Sequence, residues 1–264
     1  MFNKWIFILF FMLSLTWSQK IFMQTDSELI TDRPDITESA AVVPINTLQI
    51  ETGFMFQKQK FVEHSIEYEN ENLILASTLC RYGINDNIEL RFGGEYFLGK
   101  TTAEFEKSTL QGLQGIFIGS KFQLIKDGGI LNNIAVILEV ALPFGNEKLR
   151  PDKFEPGIIF AFDKSISEII SLGMNLGSSK IKSINDFTLD YSISMSISID
   201  DRWTAFIEYF GDSSDKVLPK NNAHFGFAYL QKENIQIDFS LGSLIFNKET
   251  DYFGQVGFSM RLPN

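Results

Sequence analysis

Apolar and polar residues alternate one for one through most of this sequence. Between residues 187 and 199, Phe187, Leu189, Tyr191, Ile193, Met195, Ile197 and Ile199 fall on one side of an extended chain. Thr188, Asp190, Ser192, Ser194, Ser196 and Ser198 fall on the other. A helix would scatter both sets around its axis, whereas a strand sorts them cleanly because successive side chains point to opposite faces. The run spans 13 residues. That exceeds the usual soluble strand of roughly 5–6 residues and suffices for a tilted strand crossing a bilayer, which takes roughly 9–11.

The same sorting recurs along the chain. Ile88, Leu90, Phe92, Tyr96 and Leu98 oppose Glu89, Arg91 and Glu95, and Ile116, Ile118, Phe122 and Leu124 oppose Lys121 and Gln123. Ile134, Val136, Leu138, Val140 and Leu142 oppose a face carrying Glu139, and Trp203, Ala205, Ile207 and Tyr209 oppose Arg202, Thr204 and Glu208. Ile235, Ile237, Phe239 and Leu241 oppose Gln236, Asp238 and Ser240; Tyr252, Val256, Phe258, Met260 and Leu262 oppose Gln255, Ser259 and Arg261. The pattern predicts about 12 strands, near 46–57, 71–84, 87–99, 111–126, 132–144, 154–163, 168–178, 186–200, 201–211, 222–232, 235–246 and 251–262. Connections after even strands are short, as at Asn85-Asp86, Asp127-Gly128-Gly129, residues 163–167, Asp200-Asp201 and Glu233-Asn234. Those after odd strands read as longer and more polar, as at 57–70, 100–110 and 212–221. Short periplasmic turns and longer external loops are the habit of membrane barrels.

Hydrocarbon offers no hydrogen bonds, so every backbone N–H and C=O in it must find a protein partner, and only helices and closed barrels achieve this. The expected fold is therefore all-β: a single closed antiparallel up-and-down transmembrane β-barrel. Its apolar rows must face lipid, because an Arg or Lys at the bilayer midplane costs about 2–4 kcal/mol. With strands about 4.8 Å apart and tilted about 40°, such a barrel has a backbone diameter of about 24 Å and a free bore of about 10 Å or less. That scale suits small solutes.

Three regions follow. Lys4, the apolar run WIFILFFMLSL at 5–15, and the small residues Thr16 and Ser18 before Gln19 form the layout of a cleaved secretory signal over 1–18. Residues 19–45, polar and carrying Pro34 and Pro44, are either a periplasmic N-terminal segment or a plug folding into the lumen, and 46–264 form the barrel. Cys80 is the only cysteine, which excludes an intrachain disulfide, a CxxC pair and a thiolate zinc site. The net charge of −10 argues against a nucleic-acid partner. The 26 phenylalanines gain meaning from the alternation, since lipid is where their rows point.

The candidate site is the inner row: Glu51, Glu89, Arg91, Glu95, Lys121, Glu139, Asp190, Arg202, Glu208, Asp238 and Arg261. These charges either filter solutes, as rings of side chains do in pores, or neutralise one another as a structural network filling the lumen. Asp32, Arg33 and Asp35 are plug candidates: Arg33 pairing with a lumenal carboxylate would close the bore, or Pro34 and the Asp residues make a turn capping the rim. Catalysis is not expected. His64 falls in the first predicted external loop, His224 near the external start of strand 10, and the serines from 192 to 198 read as an ordinary small polar face. No metal and no cofactor is expected. Gly93-Gly94 lies within a strand, where glycine relieves crowding or marks a kink. Trp203, Tyr209, Tyr229 and Tyr252 lie near predicted strand ends, as interfacial girdles require.

TDRPDITE at 31–38, LQIETGF at 48–54, RYGINDNIELRFGG at 81–94, IGSKFQL at 118–124 and ALPFG at 141–145 resemble the outer-membrane family named for the meta-pathway of phenol degradation. The resemblance spans most of the mature chain and implies a barrel that passes small aromatic or hydrophobic compounds. The chain ends RLPN where many such barrels end on an aromatic, with Phe258 further back and Leu262 in its place. The expectation is an outer-membrane conduit of a Gram-negative bacterium, inserted by the barrel-assembly machinery, with lipid and a small-molecule solute as partners. The alternatives are a structural or adhesive barrel whose external loops bind a partner, and a soluble periplasmic lipid-binding β-protein.

Overall fold

A computed structural model describes residues 28–104, 106–181, 186–214, 219–245 and 250–263. The signal sequence expected at 1–18 lies outside the described residues. Twelve strands form among them: β1 (Leu48–Glu63), β2 (Ile66–Asn85), β3 (Ile88–Ala103), β4 (Glu106–Ile125), β5 (Asn133–Ala141), β6 (Glu155–Ser165), β7 (Ile170–Ile181), β8 (Asp186–Ser198), β9 (Trp203–Ser213), β10 (Lys220–Lys232), β11 (Ile235–Ile245) and β12 (Thr250–Leu262). Each pairs antiparallel with its sequence neighbour, and β1 pairs with β12 from Leu48↔Leu262 to Lys60↔Thr250. The ring is closed, so no strand edge is left to hydrocarbon.

The faces sort as the alternation predicts. Phe54, Phe92, Ile118, Leu138, Phe160, Phe187, Ile193, Phe225, Phe239 and Phe258 are exposed on the outer surface. Gln49, Glu51, Arg81, Glu89, Lys121, Glu208, His224, Asp238 and Ser259 are buried inside. A soluble domain has the opposite arrangement; here the medium around the wall is lipid. The Trp203 and Tyr229 rings pack 4.7 Å apart, tilted by 39°, beside the lower rim, where the chain enters. Tyr191 and Tyr209 stack at 6.2 Å towards the upper rim and both donate to Asn221 Oδ1. Rings at both heights match the two interfaces of a bilayer.

Two expected loops are strand. Residues 57–63 and 66–70 continue β1 and β2 upward, and residues 100–103 and 106–110 continue β3 and β4. β1 and β2 are joined by a turn at His64 and Ser65, whose φ values are +50° and +68°. Two consecutive positive φ values make the tight turn whose twist suits a hairpin. The alternation fades there because both faces meet water, and Lys58 pairs with Glu69 and Glu71 across the strands. The backbone ladder continues regardless.

Register shifts lie close together across these strands: Gly53/Met55 and Leu75/Thr78 in pairs involving β2, and Gly93/Glu95 between β3 and β4. Ala76 takes φ +49° within the second. Each inserts unpaired residues and bends the wall.

The lumen and the N-terminal segment as candidate functional site

Residues 29–43 lie inside the barrel, and their polar groups are taken up by its inner wall. Gln49 Nε2 donates to the Ile30 carbonyl at 2.8 Å, and Gln255 Nε2 to that of Pro34 at 2.6 Å. Lys121 Nζ donates to the Ser39 carbonyl at 2.7 Å, and Arg81 Nη2 to that of Ala41 at 2.9 Å. The Ala40 N–H reaches Asp163 Oδ2 at 2.9 Å, and the Val43 N–H reaches Glu89 Oε2 at 2.8 Å. Irregular backbone at membrane depth needs such partners, because each unmet group costs several kcal/mol. The segment leaves past Gly83, where Asn46 N donates to the Gly83 carbonyl at 2.9 Å. A Cβ on Gly83 would lie 2.1 Å from the Pro44 oxygen, so this exit requires glycine. Ala40 packs in a small dry cluster with Ala135, Ile137 and Ala161, where the short side chains of Ala135 on β5 and Ala161 on β6 leave room for it.

Three clasps hold the segment. In the first, Asp32 sits among three cations. Its Oδ2 is 2.8 Å from Arg91 Nη1, 3.1 Å from Lys121 Nζ and 3.3 Å from Arg81 Nη1. Its N–H donates to Glu51 Oε2 at 2.9 Å. Arg81 and Arg91 face each other directly across β2 and β3, a like-charge pairing that alone is destabilising. Glu89 relieves it with a fork to Arg81 at 2.9 Å for each contact, and Glu51 and Asp32 complete the neutralisation. Burial alone would raise the Asp32 pKa, but Arg81, Lys121 and Arg91 together hold it well below the usual carboxylate range.

In the second clasp, Arg33 forks onto Asp238, with Nη2–Oδ1 at 3.0 Å and Nε–Oδ2 at 3.4 Å. In the third, Glu208 accepts the N–H groups of Ile36 (3.0 Å) and Thr37 (2.6 Å), and the Thr37 hydroxyl at 2.6 Å. His224 Nδ1 lies 2.9 Å from the same carboxylate. Phe206, Phe210 and Phe253 surround the imidazole. Burial and the Glu208 carboxylate push Asp35 well above its ordinary pKa. Glu38 sits 2.6 Å from Arg91 Nη2; burial, opposed by Arg91 and assisted by Asp32, moves it up to about 7.

The inner-row candidates separate. Glu51, Glu89, Arg91, Lys121 and Glu139 meet around Asp32 and Glu38, with Arg91 Nε donating to Glu139 at 3.0 Å. Glu208 and Asp238 form the other two clasps, and Arg261 Nη1 donates to the Glu28 carbonyl at 2.9 Å. Glu95 stands apart, accepting from Gln114 at 2.7 Å. Asp190 lies on the upper inner wall, accepting from Ser179 and Thr188 at 2.8 Å each. Arg202 does not line the lumen. It falls in the exposed turn before β9, and its N–H closes that turn onto Asp200 Oδ1 at 2.8 Å.

Other members lie outside the expected set. His224 is an inner-wall residue, not a surface one; the outward Phe225 and Phe227 already carry the signal that it points in. Arg81 precedes Tyr82 and Gly83 on a strand whose alternation slips at the Leu75/Thr78 shift, so parity alone misplaces it. Asp163, expected in a turn, is on β6. His224 Nε2 faces the Gln255 amide at 3.4 Å, so no hydroxyl nucleophile stands at the position a Ser–His–acid triad would require. Among the described residues no group of three or more His, Cys, Asp or Glu is placed to hold a metal.

Cavities flank the segment. A cavity of about 420 Å³ opens above it, floored by Ile36 and walled by β5 to β9. Another of about 350 Å³ lies below it, against Arg33, Asp35, Thr37 and Glu38. Residues 36–38, held by Glu208 and Asn175, run between them.

The sequence profile of the family described as "Putative MetA-pathway of phenol degradation" matches residues 31–262. No curated protein sequence matches the chain. Among solved structures, an outer membrane channel from Pseudomonas putida F1 is similar with a TM-score of 0.65 at 10% identity, over 84% of this chain and 98% of that one. The translocator domain of the autotransporter NalP from Neisseria meningitidis is similar with a TM-score of 0.54 at 10% identity, over 81% and 88%. At these identities the likeness is one of fold.

Proposed function

Because the chain belongs to the MetA-pathway of phenol degradation family, we propose that it is an outer-membrane conduit for small solutes, aromatic or hydrophobic ones among them, gated by its own N-terminal segment. The carrying observation is that residues 29–43 are docked across the bore with cavities of about 420 and 350 Å³ on either side. Passage then requires the segment to shift. Clasps made of ion pairs and hydrogen bonds suit a movable part better than a large dry core does, since each contact can be exchanged for water. The inner charges play the structural role: most are spent on one another and on the segment, not left to filter ions.

The lumen supplies recognition and a barrier, and the proposed function involves no chemistry and no cofactor. The adhesive alternative needs long loops at 57–70 and 212–221; the first is paired strand on either side of a two-residue turn, and in the second β9 runs to Ser213 and β10 starts at Lys220. Conductance of the purified protein in planar bilayers tests the conduit. The intact chain should show small, intermittent openings, and a variant lacking residues 28–43 should stay open. Silence from both would overturn the reading.

A further inference from the structure

The cavity above the segment has a chemistry of its own. At about 420 Å³ it falls within the range of roughly 300–1,000 Å³ typical of small-molecule sites. Its hollow lies in front of Gly157 on β6, which faces inward without a side chain, while the place in front of Gly177 on β7 is taken by Ile159. A Cβ on Gly157 would touch only Ser178 O and Ser179 Cβ, both at 3.7 Å, so the space in front of it is open. Ile36, Ile159 and the Phe210 ring give the cavity an apolar side.

Its polar side is acidic. Glu139, Asp190 and Asp212 line it, and among the described residues no Lys or Arg does. Asp190 and Asp212 stand directly opposite each other across β8 and β9. Asp190 is oriented by the Ser179 and Thr188 hydroxyls at 2.8 Å, which hold the carboxylate in place without neutralising it. Lys220 pairs with Asp212 at the rim of β10, beyond the lining. Arg91 touches Glu139 from below.

We propose that this cavity binds small organic ammonium compounds with a flat apolar body, such as arylalkylamines, as the recognition step of the conduit; the inference rests on that reading for its role in passage. The ammonium group would sit between Asp190 and Asp212, where charge-assisted hydrogen bonds are strongest. The ring would lie against Ile159 and Phe210, whose face also attracts a cation. Anions of the same shape would meet carboxylates and be turned away.

Binding to the purified full chain in detergent tests this, with benzylammonium, benzyl alcohol and benzoate as probes and Gly157→Leu as the cavity-filled reference in the same detergent. Benzylammonium should bind at least about tenfold more tightly than the other two. The preference should vanish in the Asp190→Asn/Asp212→Asn double variant, which keeps the shape and leaves one side-chain oxygen at position 190 to accept from a hydroxyl. Heat-modifiable migration on gels verifies that each variant is folded. Equal binding of benzylammonium and benzyl alcohol, a preference that survives the double variant, or binding unchanged in Gly157→Leu would overturn the proposal. The conduit reading fails separately: bilayer silence with benzylammonium still bound would remove the passage and leave the site.

Discussion

Gly53 on β1 and Gly257 on β12 stand directly opposite each other where the barrel closes, and the Arg33 guanidinium lies across both. A Cβ on Gly53 would fall 2.6 Å from Arg33 Cζ, and one on Gly257 would fall 2.2 Å from Arg33 Nε. The bare backbone of the seam is thus the seat of a side chain that enters from the N-terminal segment and forks onto Asp238. Closure of the ring and docking of the segment share one set of atoms.

Gly257→Val should therefore undock Arg33 without opening the strand pair, since valine suits a strand. Arg33→Ala should act similarly by leaving Asp238 buried without its partner, a loss of about 3 kcal/mol. That corresponds to a shift in the closed-to-open ratio of roughly 100-fold. Single-channel open probability reads both variants, and values equal to wild type would remove this clasp from the gate.

Asp32→Asn keeps the shape and discards the charge that Arg81, Arg91 and Lys121 share. The expected outcome is a segment that leaves the lumen readily, seen as faster proteolysis within residues 28–43 of the reconstituted protein. Unchanged protection would mean that the backbone hydrogen bonds suffice alone.

Glu208→Ala removes the acceptor of the Ile36 and Thr37 N–H groups. Amide exchange at these positions should accelerate by at least about tenfold, while exchange in β8 and β9 stays slow. Equal acceleration throughout would indicate a weakened barrel and not a lost clasp.

Conductance should also depend on pH. Docked, Glu38 titrates near 7, above its ordinary 4.5. Between these values the docked segment holds a proton that a released one gives up, so acid favours docking, and that contribution is lost as the pH rises through about 7. Asp35 is raised as well and acts in the same direction. Asp32 acts oppositely: its contribution is present above 3.8 and declines only as the pH falls towards its lowered value. Open probability should rise from pH 5 to pH 8 (roughly one proton's worth), and Glu38→Gln should flatten the rise. A profile falling over that interval would contradict the assignment.

On the outer face, Ile193→Arg places a charge mid-strand on β8, where it should cost about 2–4 kcal/mol. Urea unfolding from vesicles measures it, with Ile193→Leu as the neutral comparison. A cost near zero for arginine would mean that Ile193 does not face lipid.

Most of the wall was legible in the sequence because a strand's faces follow from parity alone. Phe187 to Ile199 reads outward by every second residue, and the structure keeps that row. Strand ends were not legible at 57–70, since alternation reports where one face meets lipid, and above the bilayer both faces meet water while the ladder runs on. Arg81 was lost to the Leu75/Thr78 shift, because one inserted residue reverses the parity that follows it.

The sequence by itself determined the alternating rows, the number of strands they imply and the need to close them, because those follow from local periodicity and from the cost of unpaired backbone in hydrocarbon. It also set out Asp32, Arg33 and Asp35 as a polar cluster looking for partners. Which partners they meet was decided only by the tertiary structure. Arg33 and Asp238 lie 205 residues apart, and Asp32 and Lys121 lie 89 apart. Their encounter depends on the register of each intervening strand pair and on the ring's curvature, quantities that no local pattern carries.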